Sequence, residues 1–232
     1  MESNLQLFES LNLDRARLSL QNQGFFLIEN AFDESFCQDV VQFIDSYSTS
    51  NDTEINYAGS ELRIWDSHQK SALLGHFFQA CNQSLPTLLK SQVKPKTLLA
   101  IRNKAIDSKA SQLQLGRWHL DSFFNQIKIF LFLSNTSEQS GPFEFIPRSH
   151  RFPFKLGMLC KGKYIKPMDL LKRKRGYAAF EDSFIDHLSN EGYPAKAVLC
   201  SAGTLMVVNT SAIHRARPCL QGSRYALTAY YL

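Results

Sequence analysis

The sequence predicts a mainly β chain with helical support, folded as an antiparallel sandwich or barrel in one domain. Three observations predict it. Apolar residues recur at helical spacing in the first 96 residues and in short strand-like runs afterwards. The pairs Gly141-Pro142, Gly203-Thr204 and Gly222-Ser223 punctuate the second half as turns between antiparallel strands rather than as βαβ crossovers. The length of 232 residues, with 44% hydrophobic residues and 18 Phe, suffices for one large core and leaves no need for a second.

The elements follow in order. Leu11 to Gln21 reads as a short helix ended by Gly24, and Gly24-Phe-Phe-Leu-Ile28 as a strand of bulky residues. Asp33 is placed to cap a helix whose Phe36, Val40, Val41, Phe43 and Ile44 fall largely on one face. A third helix begins near Ser71, with Leu74, Phe77, Phe78, Cys81 and Leu85 in phase, and Pro86 predicts a break or restart near its end. Strands are expected at Thr97 to Ile101, Gln112 to Asp121, Ile127 to Ser134, Phe143 to Ile146, Leu205 to Asn209 and Tyr225 to Tyr231. Residues 1–96 are thus helical support and a first strand, and 97–150 with 197–232 form the β core. Between them, 151–196 is expected to be a structureless, lid-like insertion facing substrate.

Composition narrows the function. The net charge of +5 is modest and much of it lies in one stretch, Lys161 to Arg175. No zinc-finger spacing, RNA-recognition aromatic motif or basic heptad helix accompanies it, which disfavours a nucleic-acid partner. The five cysteines are odd in number, scattered and set mostly among apolar neighbours, as free thiols of a reduced cytosol are. The opening MESNLQLFES has neither a basic nor an apolar leader region, and the apolar stretch Ile127 to Leu133 is too short to span a bilayer. A cytoplasmic protein is expected.

One constellation carries chemistry. In Arg117-Trp-His-Leu-Asp121, the imidazole of His119 and the carboxylate of Asp121 stand two residues apart and leave a strand on one face, where they can share a metal. His214, 93 residues beyond Asp121, is a third ligand candidate. Two His and one carboxylate on one side of an octahedron leave positions open, the arrangement a non-haem iron(II) uses. Arg224, ten residues past His214, shares a strand face with Ala226 and Thr228. A buried Arg needs an anion, and its planar fork suits a bidentate carboxylate, either a ligand such as 2-oxoglutarate or an acid of the protein.

Taken together, these blocks resemble the phytanoyl-CoA dioxygenase-like family of iron(II)- and 2-oxoglutarate-dependent oxygenases. Trp118-His-Leu-Asp121, Lys128-Ile-Phe-Leu-Phe-Leu133, Ser140-Gly-Pro-Phe-Glu-Phe-Ile-Pro-Arg-Ser-His150 and Gly203-Thr-Leu with His214 and Arg224 match its blocks in order and spacing, as does Gly24-Phe-Phe-Leu-Ile-Glu-Asn-Ala-Phe near the start. The resemblance covers most of the chain. It implies a double-stranded β-helix, a cupin-like jelly-roll barrel, with His119, Asp121 and His214 holding iron(II) and Arg224 clamping 2-oxoglutarate. It also implies the reaction: with O2, a small molecule is hydroxylated at an unactivated C–H bond, or desaturated or cyclised, as succinate and CO2 are released.

Two departures stand out. Ala216 occupies a position where many relatives place a small hydroxyl residue against the cosubstrate, and Arg148 replaces a glycine common before the Ser-His pair. Asp121 stands where halogenating relatives have Ala or Gly, which disfavours halogenation.

Further candidates are graded by their setting. Lys128, on an apolar strand, either assists 2-oxoglutarate or reaches a nearby acid. Gln114 is a candidate donor to the cosubstrate, and Arg63 and Arg217 are candidates to face substrate, although each Arg is also an ordinary surface residue type. His150 reads as a packing or supporting histidine, and His68, His76 and His187 carry no spacing signal. The basic run is either a solvated lid helix or an attractor for a carboxylate, a phosphorylated metabolite or a carrier-linked acyl group. Two other functions stay open: a nucleic-acid demethylase of the same fold, against which Tyr230 stands where such enzymes carry a second Arg, and a catalytically silent ligand-binding barrel.

Overall fold

Two antiparallel sheets lie face to face, each covered on its outer side by helices. The structure is a computed structural model and describes residues 7–8, 11–105, 116–161 and 178–231. The larger sheet has seven strands in the order β1 (Phe25–Ile28), β10 (Leu205–Asn209), β6 (Ile127–Phe132), β12 (Ser223–Tyr231), β4 (Pro95–Lys104), β3 (Glu61–Ile64) and β2 (Glu54–Asn56). The smaller has five: β8 (Ala178–Phe180), β5 (Trp118–Leu120), β11 (His214–Ala216), β7 (Phe143–Phe145) and β9 (Lys196–Val198). The strands β4-β12-β6-β10 facing β5-β11-β7-β9 make the eight-stranded jelly roll that the sequence pointed to.

Strand alternation sorts the side chains into layers. Ile129 and Leu131 of β6, Leu227 and Ala229 of β12 and Leu98 and Ala100 of β4 point outward under three helices, α1 (Leu13–Asn22), α2 (Glu34–Ser46) and α3 (Ala72–Leu89). Phe132, Phe143, Phe145, Val198, Met206 and Val208 fill the space between the sheets. A third cluster, with Trp118, Ile146, Phe180, Phe184 and Leu188, lies on the outer side of the small sheet, beneath α4 (Phe152–Lys161) and α5 (Asp182–Asn190). Among the described residues no helix is long and apolar enough to cross a membrane.

Local chemistry explains the helix ends. Asn12 caps α1 by accepting from Arg15 N at 3.0 Å, and Asp33 caps α2 by accepting from Phe36 N at 2.8 Å. Pro86 does not break α3, contrary to expectation. It stands in the last turn, where one backbone bond is forfeited while Leu85 and Leu88 stay fully buried and hold the helix to the sheet.

The insertion also departs from expectation. Residues 151–196 are not structureless: α4, β8 and α5 lie within them, and β8 extends the small sheet by pairing with β5. Short amphipathic helices with few capping signals, and a strand of three residues, gave periodicity too little length to register. The short strands β2 and β3 at one end of the large sheet escaped for the same reason.

Lys155 joins α4 to the two loops beside the small sheet. Its ammonium is buried, donating to Phe123 O at 2.5 Å and Ser211 Oγ at 2.8 Å, with no acid in contact among the described residues. Burial pushes it down to about 8 from the ordinary 10.5. The unfolded chain therefore keeps a proton there that the folded chain sheds, so this group makes stability rise as pH climbs from about 8 to 10.5. Urea titrations across that range are expected to show a rise of up to about 3 kcal/mol that Lys155→Met flattens.

Gly203 sets a second constraint. It takes φ +82°, its carbonyl accepts from Phe32 N at 3.1 Å, and a Cβ there would collide with the Phe32 carbonyl oxygen. Gly203→Ala is expected to cost roughly 2 kcal/mol or more, read as a lowered urea midpoint.

Candidate metal centre

The small sheet brings the two histidines together. His119 on β5 and His214 on β11 are direct cross-strand partners, with ring centroids 4.4 Å apart. Asp121 follows β5 by one residue and is tied down by its N–H donating to Thr210 O at 3.1 Å. One donor atom from each of the three lies within 4.8 Å of the others.

Their outer atoms decide how the inner ones point. Nδ1 of His119 lies 2.9 Å from Arg117 O, and Nδ1 of His214 lies 2.9 Å from Ala212 O. A carbonyl only accepts, so each Nδ1 carries the proton and each Nε2 keeps its lone pair. Both Nε2 atoms turn to the carboxylate, at 3.8 Å from Oδ1 for His119 and 3.6 Å from Oδ2 for His214. Those separations exceed a hydrogen bond and resemble the ~3 Å between adjacent donors on one cation with bonds of about 2.1 Å. Burial pushes His214 down to about 4, so its imidazole is neutral and available at physiological pH.

Lys128 adds a fixed positive charge. It is buried on the inner face of β6, with Nζ 2.7 Å from Asp121 Oδ2 and 4.2 Å from the centroid of Tyr230, its cross-strand partner on β12. Burial opposes both charges, yet the contact prevails: Asp121 is held well below the usual carboxylate range by Lys128 and the two histidines, while Tyr230 and Asp121 hold Lys128 above its ordinary value. Of the two alternatives for Lys128, the nearby acid is the one in contact here. The carboxylate therefore stays ionised, with one oxygen for Lys128 and the other turned to His119.

Arg224 lies on the same inner face of β12 as Ala226, Thr228 and Tyr230 and is 7% exposed. Its Nη2 donates to Asn103 Oδ1 at 2.8 Å, a neutral partner, and Nη1 is buried with no hydrogen-bond partner among the described residues. Burial lowers its pKa without removing its charge. A buried fork with no acid in contact and one nitrogen unpaired among the described residues fits a carboxylate ligand. The donor set of the triad likewise fits a first-row divalent cation with open positions.

The other candidates divide. Arg63 shares the inner face of β3 with Glu61, whose Oε1 it meets at 2.7 Å, opposite Leu62 and Ile64 in the outer core. Arg217 does not face the triad: it pairs with Glu138 and with Glu144 at 2.6 Å. Glu144 alternates with the inward Phe143 and Phe145, so the pair sits on the outer side of the small sheet, where Arg215 also packs over Trp118 at 4.3 Å. The structure thus places Arg217, a candidate to face substrate, away from the triad with its charge taken by two acids. Gln114 and the basic residues Lys163 to Arg175 lie outside the described residues.

His150 packs as expected, with Nε2 3.1 Å from Gln21 O and Nδ1 against Gly24. His68 stacks on Phe78 and His187 meets Glu191 at 3.2 Å, both away from the cluster. Arg148 keeps the turn usual for glycine, at φ +70°, held by its side chain donating to Gly192 O at 2.6 Å and stacking on Tyr193. Ala216 pairs with Phe143 and offers no hydroxyl. Sequence reasoning missed Glu61 and Asn103, the buried partners of Arg63 and Arg224; the alternation Glu61-Leu-Arg-Ile64 was the available signal.

No protein-family model matches the sequence, and no curated protein matches it. Solved structures do. The epimerase SnoN, crystallised with Fe3+, alpha ketoglutarate and nogalamycin RO, aligns with a TM-score of 0.73 at 14% identity, over 97% of this chain and 84% of its own. The non-heme alpha ketoglutarate dependent carbocyclase SnoK gives 0.68 at 15%, over 94% and 82%. HygX from Streptomyces hygroscopicus, with nickel, 2-oxoglutarate and hygromycin B bound, gives 0.64 at 14%, over 94% and 86%. At such identities the likeness establishes the shared fold.

Ligand removal gives a direct check on the cluster. His119→Ala and Asp121→Ala are each expected to weaken Mn(II) or Fe(II) binding at least a hundredfold in anaerobic calorimetry, with the folded spectrum kept; unchanged affinity would exclude the cluster as the metal site.

Proposed function

We propose that the chain is an iron(II)- and 2-oxoglutarate-dependent oxygenase of the phytanoyl-CoA dioxygenase-like family, acting on a small molecule. The observation that carries this reading is Arg224, a buried guanidinium with one nitrogen unpaired among the described residues, in a fold whose inner face also presents two oriented imidazoles and an ionised carboxylate. His119, Asp121 and His214 would hold the iron. When bound, iron and 2-oxoglutarate would activate O2, which supplies the oxidising power for an unactivated C–H bond as 2-oxoglutarate is converted to succinate and CO2.

The chain's own residues have separable tasks. The carbonyls of Arg117 and Ala212 hold the two imidazoles in the binding tautomer. Lys128 keeps Asp121 ionised and restrains its second oxygen. Arg224 takes the distal carboxylate of 2-oxoglutarate, and Ala226 beside it leaves space for the chain between. Phe130, Phe132 and Phe143 line the interior and exclude water, with Phe143 5.4 Å from the His214 ring. Arg63, on the same side of the large sheet and partly exposed, is paired with Glu61 at 2.7 Å, so its charge is committed to that acid.

We take hydroxylation as the outcome, although SnoN is an epimerase and SnoK a carbocyclase. The product mass separates these: hydroxylation adds one oxygen, ring closure or desaturation removes two hydrogens, and epimerisation leaves mass unchanged. With Fe(II), ascorbate and oxygen, the protein is expected to turn 2-oxoglutarate into succinate, slowly alone and faster with substrate. Arg224→Leu is expected to raise the 2-oxoglutarate concentration required by roughly ten- to a hundredfold. A metal-loaded protein that neither binds nor consumes 2-oxoglutarate would overturn the proposal.

A further inference from the structure

Two buried polar residues of the interior, Glu61 and Asn103, form a row with Arg224. Glu61, Asn103 and Arg224 are direct cross-strand partners on β3, β4 and β12, exposed by 7%, 4% and 7%. Asn103 Nδ2 donates to Glu61 Oε2 at 3.1 Å, Asn103 Oδ1 accepts from Arg224 Nη2 at 2.8 Å, and Glu61 Oε1 meets Arg63 Nε at 2.7 Å.

The chemistry of the row allows one arrangement. A carboxylate only accepts and a guanidinium only donates, so the amide between them must give its N–H to Glu61 and its oxygen to Arg224. Glu61 is neutralised by Arg63 on its other oxygen, and Asn103 stands as a neutral spacer between that ion pair and Arg224. Arg224 is thereby steered through Nη2 with no carboxylate in contact among the described residues: Glu61 acts on it only from across the amide, and Nη1 has no hydrogen-bond partner there. An acid at position 103 would pair with Arg224 directly.

We infer that Asn103, oriented by Glu61, is a positioning residue that reserves the charge of Arg224 for the distal carboxylate of the cosubstrate. This deepens the proposed function and rests on it. It predicts that Asn103→Asp, which keeps size and shape, pairs Arg224 internally and removes the preference for a second carboxylate.

The test is anaerobic calorimetry on the full chain loaded with Mn(II), using 2-oxoglutarate and pyruvate, which shares the 2-oxo acid but lacks the distal carboxylate. Asn103→Asp is expected to lower the ratio of 2-oxoglutarate to pyruvate affinity at least tenfold, with Mn(II) affinity unchanged. Glu61→Gln, which removes the acid that orients Asn103 and lets its amide turn over, is expected to lower the same ratio threefold or more and covers the case in which the first variant does not fold; Arg63→Gln beside it removes the cation this change would leave unpaired. A ratio within twofold of wild type in the folded variants, or an equal loss for both acids, would overturn the inference. If the wild-type chain itself binds 2-oxoglutarate no better than pyruvate, Arg224 is not the clamp, and the proposed function fails along with the inference.

Discussion

The direct pairing of His119 with His214 across β5 and β11 is the contact on which the site depends. Strands in register place two side chains on one face within reach of a common atom, and only then does the spacing of Asp121 from His119 matter. A one-residue slip would send one imidazole into the outer cluster with Trp118 and bring an apolar residue inward. The register is secured from both sides. β8 pairs His119 with Ala179, and β7 pairs His214 with Phe145.

Putting charge inside an apolar barrel imposes a second condition, since each charged group must find a partner or await one. Asp121 has Lys128 and Glu61 has Arg63, both at 2.7 Å. Arg224, among the described residues, has a neutral amide as its hydrogen-bond partner and no acid in contact. The helix layers make this arrangement tolerable by anchoring the strands elsewhere: the outward residues of β4, β6 and β12 bury against α1, α2 and α3 irrespective of what the inward residues do. One strand thus serves stability on one side and chemistry on the other.

The same division explains which features were legible. Asp33 before an amphipathic run and Leu205 to Asn209 as a strand were readable because capping and burial act locally. Pro86 misled because local chain stiffness was outweighed by the burial of Leu85 and Leu88, a tertiary effect. Arg148 looked like a departure from a glycine turn, yet the backbone keeps that turn because Gly192 and Tyr193 hold the side chain from another segment. Arg217 sits beside His214 in sequence but on the opposite side of the sheet, where Glu138 and Glu144 take its charge.

By itself the sequence determined an antiparallel, mainly β class and the set of side chains able to ligate a metal, because periodicity, turn residues and donor chemistry are properties of short stretches; the jelly roll came from the family resemblance. Only the tertiary structure decided which donors point at one another, that Lys128 meets Asp121, and that Arg224 donates to Asn103. Those outcomes are set by strand register between segments far apart in the chain, and register is a property of the pairing rather than of either strand.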